Sequence, residues 1–188
     1  VEISLLTCKP HEEVYSLYGH TAIRIVDTEG GRDMVVNWGV FDSSKPNFVY
    51  HFIMGETDYM MAMVSTEGFL REYYYYGSEV IQQKLNMTQQ EKRNFLAILD
   101  EYSKPENRIY RYNFYYDNCT TRARDVIVKA MEGKVEYQSW KNKQENETFR
   151  DLIHSKNADY PWCRWGNDFL LGVGSDAKMT HAERQFIP

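Results

Sequence analysis

The stretch HTAIRIVDTEGGRDMVVNWGVF, residues 20–41, contains the pair of strands from which the predicted fold is built. Residues 20–27 and 34–41 are rich in β-branched and aromatic side chains, and this composition favours extended structure. The TEGGRD sequence between them consists largely of residues that are typical of turns. The stretch therefore predicts a β-hairpin in which His20 begins the first strand and Asn37 lies inside the second.

The segments on either side of this hairpin mix strand-like and helix-like patterns. Residues 47–55 are apolar and fit either state. We predict further strands at 4–8, 78–87 and 107–116, and helices at 10–19, 65–77, 88–104 and 118–133, followed by three short helical pieces, ETFRDLIHS, WCRWGNDFLLG and THAERQFI. Because strands and helices do not alternate strictly, the sequence predicts an α+β domain in which a small antiparallel sheet packs against helices.

Capping signals indicate where two of these helices begin. Thr88 and Glu91 have the spacing of a capping box at the start of the first. Asn118 is a favourable N-cap residue for the second, and Gly133 follows the end of that helix. This interpretation places Cys119 in the first turn of a helix.

Length, charge and hydropathy limit the classes to which the protein can belong. The chain has 188 residues, enough for one domain, and we assign residues 1–188 to a single domain. The net charge of −5 argues against a general nucleic-acid binder, which needs a basic face. No apolar run reaches the roughly 18 residues of a transmembrane helix, and no signal peptide is visible. Because the chain begins abruptly at Val1 with a strand-like sequence, we expect a domain excised from a longer precursor.

Tyrosine is unusually frequent, with 15 residues that include the run YYYY at 73–76 and several within NFYYDN at 113–118. One interpretation is that the rings pack against the protein while their hydroxyl groups stay at the surface. The other is an aromatic-lined groove that binds a sugar, a peptide or an acyl chain. The sequence leaves both interpretations open.

The chain has three cysteines, Cys8, Cys119 and Cys163, and it has no CxxC pair of the kind that binds zinc. In an oxidising compartment Cys8 and Cys163 are the expected disulfide pair, which leaves Cys119 free. Three free thiols are the alternative. Cys119 is unpaired in both cases.

A thiol in the first turn of a helix has physical reasons to be reactive. Unpaired backbone N–H groups and the positive end of the helix dipole stabilise a thiolate there and lower its pKa. The same N–H groups can receive an oxyanion. A cysteine nucleophile also needs a base, usually a histidine that a third polar group orients. The alternative is that Cys119 only fills space in a core.

Among the five histidines, His20 is the best candidate for this base, because it begins a strand that would hold its ring rigidly. Asn37, in the second strand of the hairpin, would accept a hydrogen bond from that ring and fix its tautomer. His51 is the reserve candidate for the base or the orienting residue. The alternative for His20 is a histidine that is only hydrogen-bonded within the sheet.

Three residues close to this pair in the sequence are assigned to substrate binding, namely Asn118, Arg122 and Trp38. Arg122 would bind a carboxylate or a phosphate of the substrate. The alternative for Arg122 is an ion pair with Asp117 or Asp125.

A metal site is the least supported interpretation. His20, Cys119 and Asp117 would supply three ligands, but no local spacing such as HxxxH accompanies them. We therefore expect neither a metal nor another cofactor.

Several strings of the sequence resemble one known family. They include YGHTA at 18–22, NWGVFD at 37–42 and YDNCTTR at 116–122, and the match runs in order from about residue 4 to residue 188. On these strings the chain resembles the Lnb-type N-terminal periplasmic domain family. The resemblance implies a location in the periplasm or bound to the bacterial envelope. It also implies that contact with a membrane is made only through segments absent from this chain.

A second and more distant resemblance is to circularly permuted NlpC-type papain-like proteins, in which the histidine strand precedes the cysteine helix. This resemblance implies Cys119 as nucleophile, His20 as base and Asn37, or else His51, as the orienting residue. It implies a cysteine hydrolase or acyltransferase that acts on amide or acyl-ester bonds of a small molecule, a lipid or a cell-wall peptide. The alternative is a non-catalytic envelope module that binds a glycan, a lipid or an exported partner protein.

Overall fold

A computed structural model describes residues 1–11, 16–42, 44, 46–47, 50–51, 55–137 and 146–188. The described residues contain a six-stranded sheet with the spatial order β5-β1-β2-β3-β4-β6, in which every neighbouring pair is antiparallel. The strands are β1 (Glu2–Cys8), β2 (His20–Asp27), β3 (Arg32–Val40), β4 (Asp58–Ser65), β5 (Val80–Lys84) and β6 (Ile109–Arg111). Together with the helices, this sheet confirms the predicted α+β class.

The predicted hairpin is present as β2 and β3, with Ile23 opposite Val36 in the ladder. The residues of β2 from Thr21 to Ile23 are buried, and Val35 and Val36 of β3 are buried as well. Both faces of this central part of the sheet are therefore covered. A β-bulge follows Asn37 in the pairing of β3 with β4, so the regular ladder stops close to this residue.

Strand β4 has no counterpart among the predicted elements, although it lies between β3 and β6. Its sequence, DYMMAMVS, is rich in methionine and has a single β-branched residue, Val64, so its composition does not indicate a strand. The strand is specified by its two neighbours, and Tyr59 and Met61 contribute its buried side chains.

Strand β6 is shorter than the prediction of 107–116. The side-chain oxygen of Asn113 accepts hydrogen bonds from the backbone N–H groups of Tyr115 and Tyr116. This Asx turn competes with an extended backbone and ends the regular strand, leaving one isolated bridge between Asn113 and Asp117.

Five α-helices lie in the described residues: α1 (Thr66–Tyr75), α2 (Gln89–Ser103), α3 (Cys119–Ala130), α4 (Phe149–Lys156) and α5 (Pro161–Leu171). Glu183–Phe186, within the last predicted helix, forms a short 3-10 helix instead. The predictions at 10–19 and 47–55 lie partly outside the described residues. In the part of the chain that the structure covers, no helix has the length and apolar character needed to cross a membrane.

Helices cover both faces of the sheet. The larger core joins Ile23, Val36 and Trp38 of the sheet to Phe95 of α2 and Val126 of α3. A smaller core on the other face forms around Phe69 of α1 and includes Leu6, Cys8, Ala22 and Val35. A third cluster joins α4 to the 3-10 helix through Phe149, Leu152, Ile153, Phe186 and Ile187. The sheet is thus wider and more fully covered than the small sheet that the sequence predicts.

All three cysteines are free thiols, so the structure does not contain the Cys8–Cys163 disulfide that one interpretation of the sequence proposes. Cys8 is buried beside Tyr73, and burial raises the pKa of its thiol to about 12. Cys163 lies instead on α5, where it accepts a hydrogen bond from Asn167 at 3.5 Å. The structure therefore agrees with the other interpretation of the sequence, in which all three thiols are unpaired.

Candidate active site

Cys119 is the first residue of α3, and the N-cap residue Asn118 fixes the start of this helix. The side-chain oxygen of Asn118 accepts hydrogen bonds from the backbone N–H groups of Thr120 and Thr121, at 2.8 and 2.9 Å. Among the described residues, no group accepts a hydrogen bond from the backbone N–H of Cys119 itself. The thiol is thus placed at a helix start that has an unused donor.

His20 begins β2, and its imidazole Nε2 lies 3.0 Å from the side-chain oxygen of Asn37. The same oxygen accepts the backbone N–H of Gly39 at 2.7 Å, which identifies it as an acceptor. Nε2 of His20 must therefore carry the proton of this hydrogen bond. The Cys119 thiol lies near enough to this ring for the two groups to interact electrostatically, and Nδ1 is the ring nitrogen that the contact with Asn37 leaves available.

The Cys119 thiol and the His20 imidazole shift the pKa of one another. Burial raises the pKa of Cys119, but the adjacent His20 imidazolium, the Thr21 backbone N–H and the Thr120 hydroxyl outweigh it and lower the pKa to about 7. Burial lowers the pKa of His20, but the Cys119 thiolate and the hydrogen bond to Asn37 raise it above its ordinary value. Both shifts favour a thiolate–imidazolium pair near neutral pH.

A second contact between β2 and α3 holds the pair in register. The hydroxyl groups of Thr21 and Thr120, the residues that follow His20 and Cys119, are 2.9 Å apart and buried. His20, Asn37 and Cys119 are themselves each partly exposed. The structure therefore brings the three sequence-predicted residues together at a solvent-accessible position on a rigid support.

Gly39 leaves the space that the His20 ring occupies. A Cβ atom at this position would lie 2.7 Å from Cε1 of His20 and 3.2 Å from the side-chain oxygen of Asn37. Asn37 holds the ring through Nε2, and Phe69 lies beside it with 6.4 Å between the ring centroids, so the ring cannot move away freely. No sequence signal marks Gly39, because its role depends on the close approach of a ring that lies in another strand.

We expect Gly39→Ala to displace the His20 ring and to slow alkylation of Cys119 at about pH 6 several-fold. The backbone of Gly39 is not in the left-handed region, so alanine is sterically allowed and the effect should stay local. The rate is measured by mass mapping of iodoacetamide adducts. Gly166→Ala is the matched control, because no described atom lies within 4 Å of its Cβ position. Equal rates in the two variants would contradict the packing argument.

An aromatic wall consists of Phe41, Tyr59 and Tyr112, and Cys119 packs in the same core cluster as Tyr59 and Tyr112. The rings of Tyr59 and Tyr112 stack at 4.2 Å between centroids, and Phe41 stacks on Tyr59 at 4.9 Å. Burial and the Cys119 thiolate both raise the pKa of Tyr112 well above its ordinary value. Phe41 is the exposed end of this wall. From the frequency of tyrosine alone, packing against the protein and an aromatic-lined groove both stayed open, and the choice between them stays a prediction.

Two of the residues that the sequence assigned to substrate binding have structural contacts. Trp38 is fully buried in the larger core. Asn118 is buried, and its side-chain nitrogen donates to the backbone oxygens of Phe114 and Phe186, at 2.7 and 2.8 Å. These placements favour roles in stability for both residues, and their contact with a substrate stays a prediction.

The guanidinium of Arg122 forms a two-fold ion pair with Asp117, with N–O distances of 2.6 and 2.8 Å. It also lies 3.7 Å from the centroid of the Tyr110 ring. An ion pair with Asp117 is one of the two alternatives expected for Arg122, and the structure contains it. Binding of a substrate anion by Arg122 likewise stays a prediction.

His51, the reserve candidate, is exposed, and its Nδ1 lies at hydrogen-bond distance, 2.9 Å, from a carboxylate oxygen of Glu56. The residue that contacts the His20 ring as a hydrogen-bond acceptor is Asn37. In the described ranges, no three His, Cys, Asp or Glu side chains form a group that could hold a metal ion. Asp117, the third ligand of the metal hypothesis, is engaged by Arg122.

Comparison with known proteins identifies the family. The model of the Lnb N-terminal periplasmic domain matches residues 1–155, which include His20, Asn37 and Cys119. No significant match was found among curated proteins, and none was found among solved structures. The match covers most of the sequence. The chain therefore belongs to the Lnb N-terminal periplasmic domain family, and it is a periplasmic domain.

Proposed function

We propose that this domain is a cysteine hydrolase or acyltransferase that cleaves amide or acyl-ester bonds in the bacterial envelope. The observation that carries the proposal is the chain of contacts from Cys119 through His20 to Asn37. A thiol, a base and a residue that orients the base are the three parts of an activated cysteine nucleophile. Cys119 is the nucleophile, His20 the base, and Asn37 the residue that sets the tautomer of His20.

The architecture supports a papain-like fold of the permuted, NlpC-type order. The strand that carries His20 precedes the helix that carries Cys119, and this helix packs against an antiparallel sheet. The orienting residue lies on the strand that pairs with the histidine strand. A histidine strand, an orienting residue on the neighbouring strand and a cysteine helix packed on the sheet are the parts that cysteine hydrolysis requires of such a fold.

In the proposed reaction the Sγ thiolate of Cys119 attacks the carbonyl carbon of the substrate. The electron pair of the carbonyl π bond moves to the oxygen. The resulting oxyanion accepts a hydrogen bond from the backbone N–H of Cys119. When the tetrahedral intermediate collapses, the C–N or C–O bond breaks and His20 Nδ1 gives its proton to the leaving group. The product of this half-reaction is an acyl thioester on Cys119.

The second half-reaction returns the enzyme to its starting state. Water, or the hydroxyl or amine group of an acceptor, gives a proton to His20 Nδ1 and attacks the thioester carbonyl. The C–S bond then breaks and the thiolate is restored. Water makes the protein a hydrolase, and another acceptor makes it an acyltransferase. The chemistry requires no cofactor.

The surroundings of the thiol favour acyl groups that have apolar or aromatic character. Within the wall Phe41 is exposed and Tyr112 partly exposed, so these two rings can contact such a group, while buried Tyr59 supports them from below. A periplasmic location makes lipids and cell-wall peptides the available substrates. We infer that the acyl group of a lipid, or a stem peptide of the cell wall, packs against this aromatic wall.

The test is to trap the thioester. The protein is incubated with p-nitrophenyl esters of short and long acyl chains, and the intact mass and the modified residue are determined. We expect release of nitrophenolate together with an acyl adduct on Cys119, and loss of both in Cys119→Ala. Acylation of lysines at equal rates in both proteins would argue for the non-catalytic module that binds a glycan, a lipid or an exported protein.

A further inference from the structure

Residues 186–188 follow the 3-10 helix and contact the starts of both α3 and β2, and we call this segment the strap. Phe186 and Ile187 are buried in the third cluster, and the backbone of Ile187 is extended. The contacts of the strap involve the two residues that directly precede Cys119 and His20 in the sequence. This placement connects the strap to both members of the proposed dyad.

One end of the strap is fastened to the start of the cysteine helix. The backbone oxygen of Phe186 accepts a hydrogen bond from the side-chain N–H of Asn118 at 2.8 Å, and Asn118 is the N-cap residue directly before Cys119. Arg124 of α3 donates to the backbone oxygen of Ala182 at 2.7 Å, one residue before the 3-10 helix begins. A displacement of α3 would therefore pull on the strap.

The other end of the strap packs against the residue that precedes His20. A Cβ atom at Gly19 would lie 2.9 Å from Cγ of Pro188, so the proline ring packs directly on the backbone of Gly19. The side-chain nitrogen of Lys156, the last residue of α4, donates to the backbone oxygen of Pro188 at 2.9 Å. Helix α4 thus anchors the end of the strap that contacts the start of the histidine strand.

The third cluster connects the same two places through aromatic rings. The ring of Phe186 contacts that of Phe114 edge to face, with 5.8 Å between the centroids, and Phe114 contacts Tyr18 in the same way at 5.1 Å. Tyr18 lies two residues before His20. Edge-to-face pairs have a preferred geometry and add to the energy of burial. The strap is therefore backed by a packed cluster that fixes its position.

The dyad needs such support because both of its members lie at the first residue of an element, His20 in β2 and Cys119 in α3. The ends of helices and strands fray more readily than their interiors. The hydrogen bond between Thr21 and Thr120 joins the two residues that follow the dyad in the sequence. The strap joins the two that precede it, so the dyad is held on both sides along the chain.

We propose that Pro188 and Lys156 are positioning residues for the proposed reaction, and that they set the distance between Cys119 and His20 through the strap. The inference rests on the proposed function, because it assigns both residues to the same dyad. Neither residue is assigned a contact with substrate. The attraction between a thiolate and an imidazolium falls with distance, so loosening the strap weakens the activation of the thiol.

The test compares the pH midpoint of Cys119 alkylation in Pro188→Gly, in Lys156→Met and in the double variant. We expect each single variant to raise the midpoint by about half to one pH unit, and to slow alkylation at about pH 6 about two- to threefold. Because both residues act through one strap, the double variant should match the more affected single variant instead of adding the two shifts. Lys156→Arg should keep the parent midpoint, since arginine retains N–H donors for the backbone oxygen of Pro188.

Lys104→Met with Pro105→Gly is the matched control, because the same two substitutions then fall on exposed residues directly after α2. Circular dichroism and urea unfolding establish that each variant is folded. A parent midpoint of about 7 that the double variant keeps would overturn the positioning role alone. Additive shifts, or an equal shift in the control, would overturn it as well. A parent midpoint of about 8.5, the value of a free thiol, would overturn both this inference and the proposed function.

Discussion

Replacing His20 with alanine should move the midpoint of Cys119 alkylation from about pH 7 to about 8.5 or above, the value of a free thiol. His20 makes the largest of the contributions that lower the pKa of Cys119 against the opposing effect of burial. At about pH 6 the thiolate fraction should fall about thirtyfold with that shift. A more basic thiolate is also a better nucleophile, so the measured rate should fall roughly five- to tenfold.

The measurement is the rate of iodoacetamide modification across a pH series, with the modified cysteine identified by peptide mass. Cys8 provides an internal reference, because burial raises its pKa to about 12 and it should react slowly while the fold persists. His51→Ala is the matched control, since that histidine is exposed and paired with Glu56. If the midpoint of Cys119 is the same with and without His20, the pair is not an activated dyad and the catalytic proposal fails.

The second large effect is expected from Asn118→Ala, which should lower the free energy of unfolding by about 4 kcal/mol. Loss of the N-cap accounts for about 1–2 kcal/mol of this. The backbone oxygens of Phe114 and Phe186 lose their hydrogen-bond donor, and an unsatisfied buried group costs about 1–3 kcal/mol. Asn118 thus fastens α3 to two other segments as well as capping it.

Urea unfolding monitored by circular dichroism gives the value. Asn94→Ala serves as the control, because its side chain makes one long hydrogen bond of 3.4 Å to Ala130 and one exposed hydrogen bond with Gln90, and alanine favours a helix. We expect that control to change stability by less than about 1 kcal/mol. Similar losses in the two variants would show that Asn118 is not the structural residue that its contacts indicate.

Local signals were sufficient to predict the parts of the fold that carry the site. The hairpin depends on turn residues between two β-rich segments, and the start of α3 depends on the capping preference of Asn118. Both are determined by residues close together in the sequence. The hairpin alone places Asn37 near His20, whereas the proximity of Cys119 to His20 was expected from the resemblance to permuted NlpC-type proteins.

Features that depend on distant neighbours could not be predicted. Strand β4 is extended because β3 and β6 pair with it, while its own composition does not indicate a strand. The packing of Gly39 against His20 depends on a close approach between two strands. The periodicity of α5 shows that one side is apolar but not which side faces the protein. That orientation follows from the contacts of Asn167 and Asp168 with groups elsewhere in the chain.

The hydrogen bond between Thr21 and Thr120 joins residues that are 99 positions apart. Contacts of such long sequence separation require the closure of a large loop, and topologies rich in them fold slowly. In the unfolded chain Cys119 has no histidine beside it, so its thiol is ordinary until the cysteine helix docks on the histidine strand. Fast modification of this thiol in mildly acidic solution therefore reports the completion of folding, and pulses of alkylating reagent during refolding would time that step.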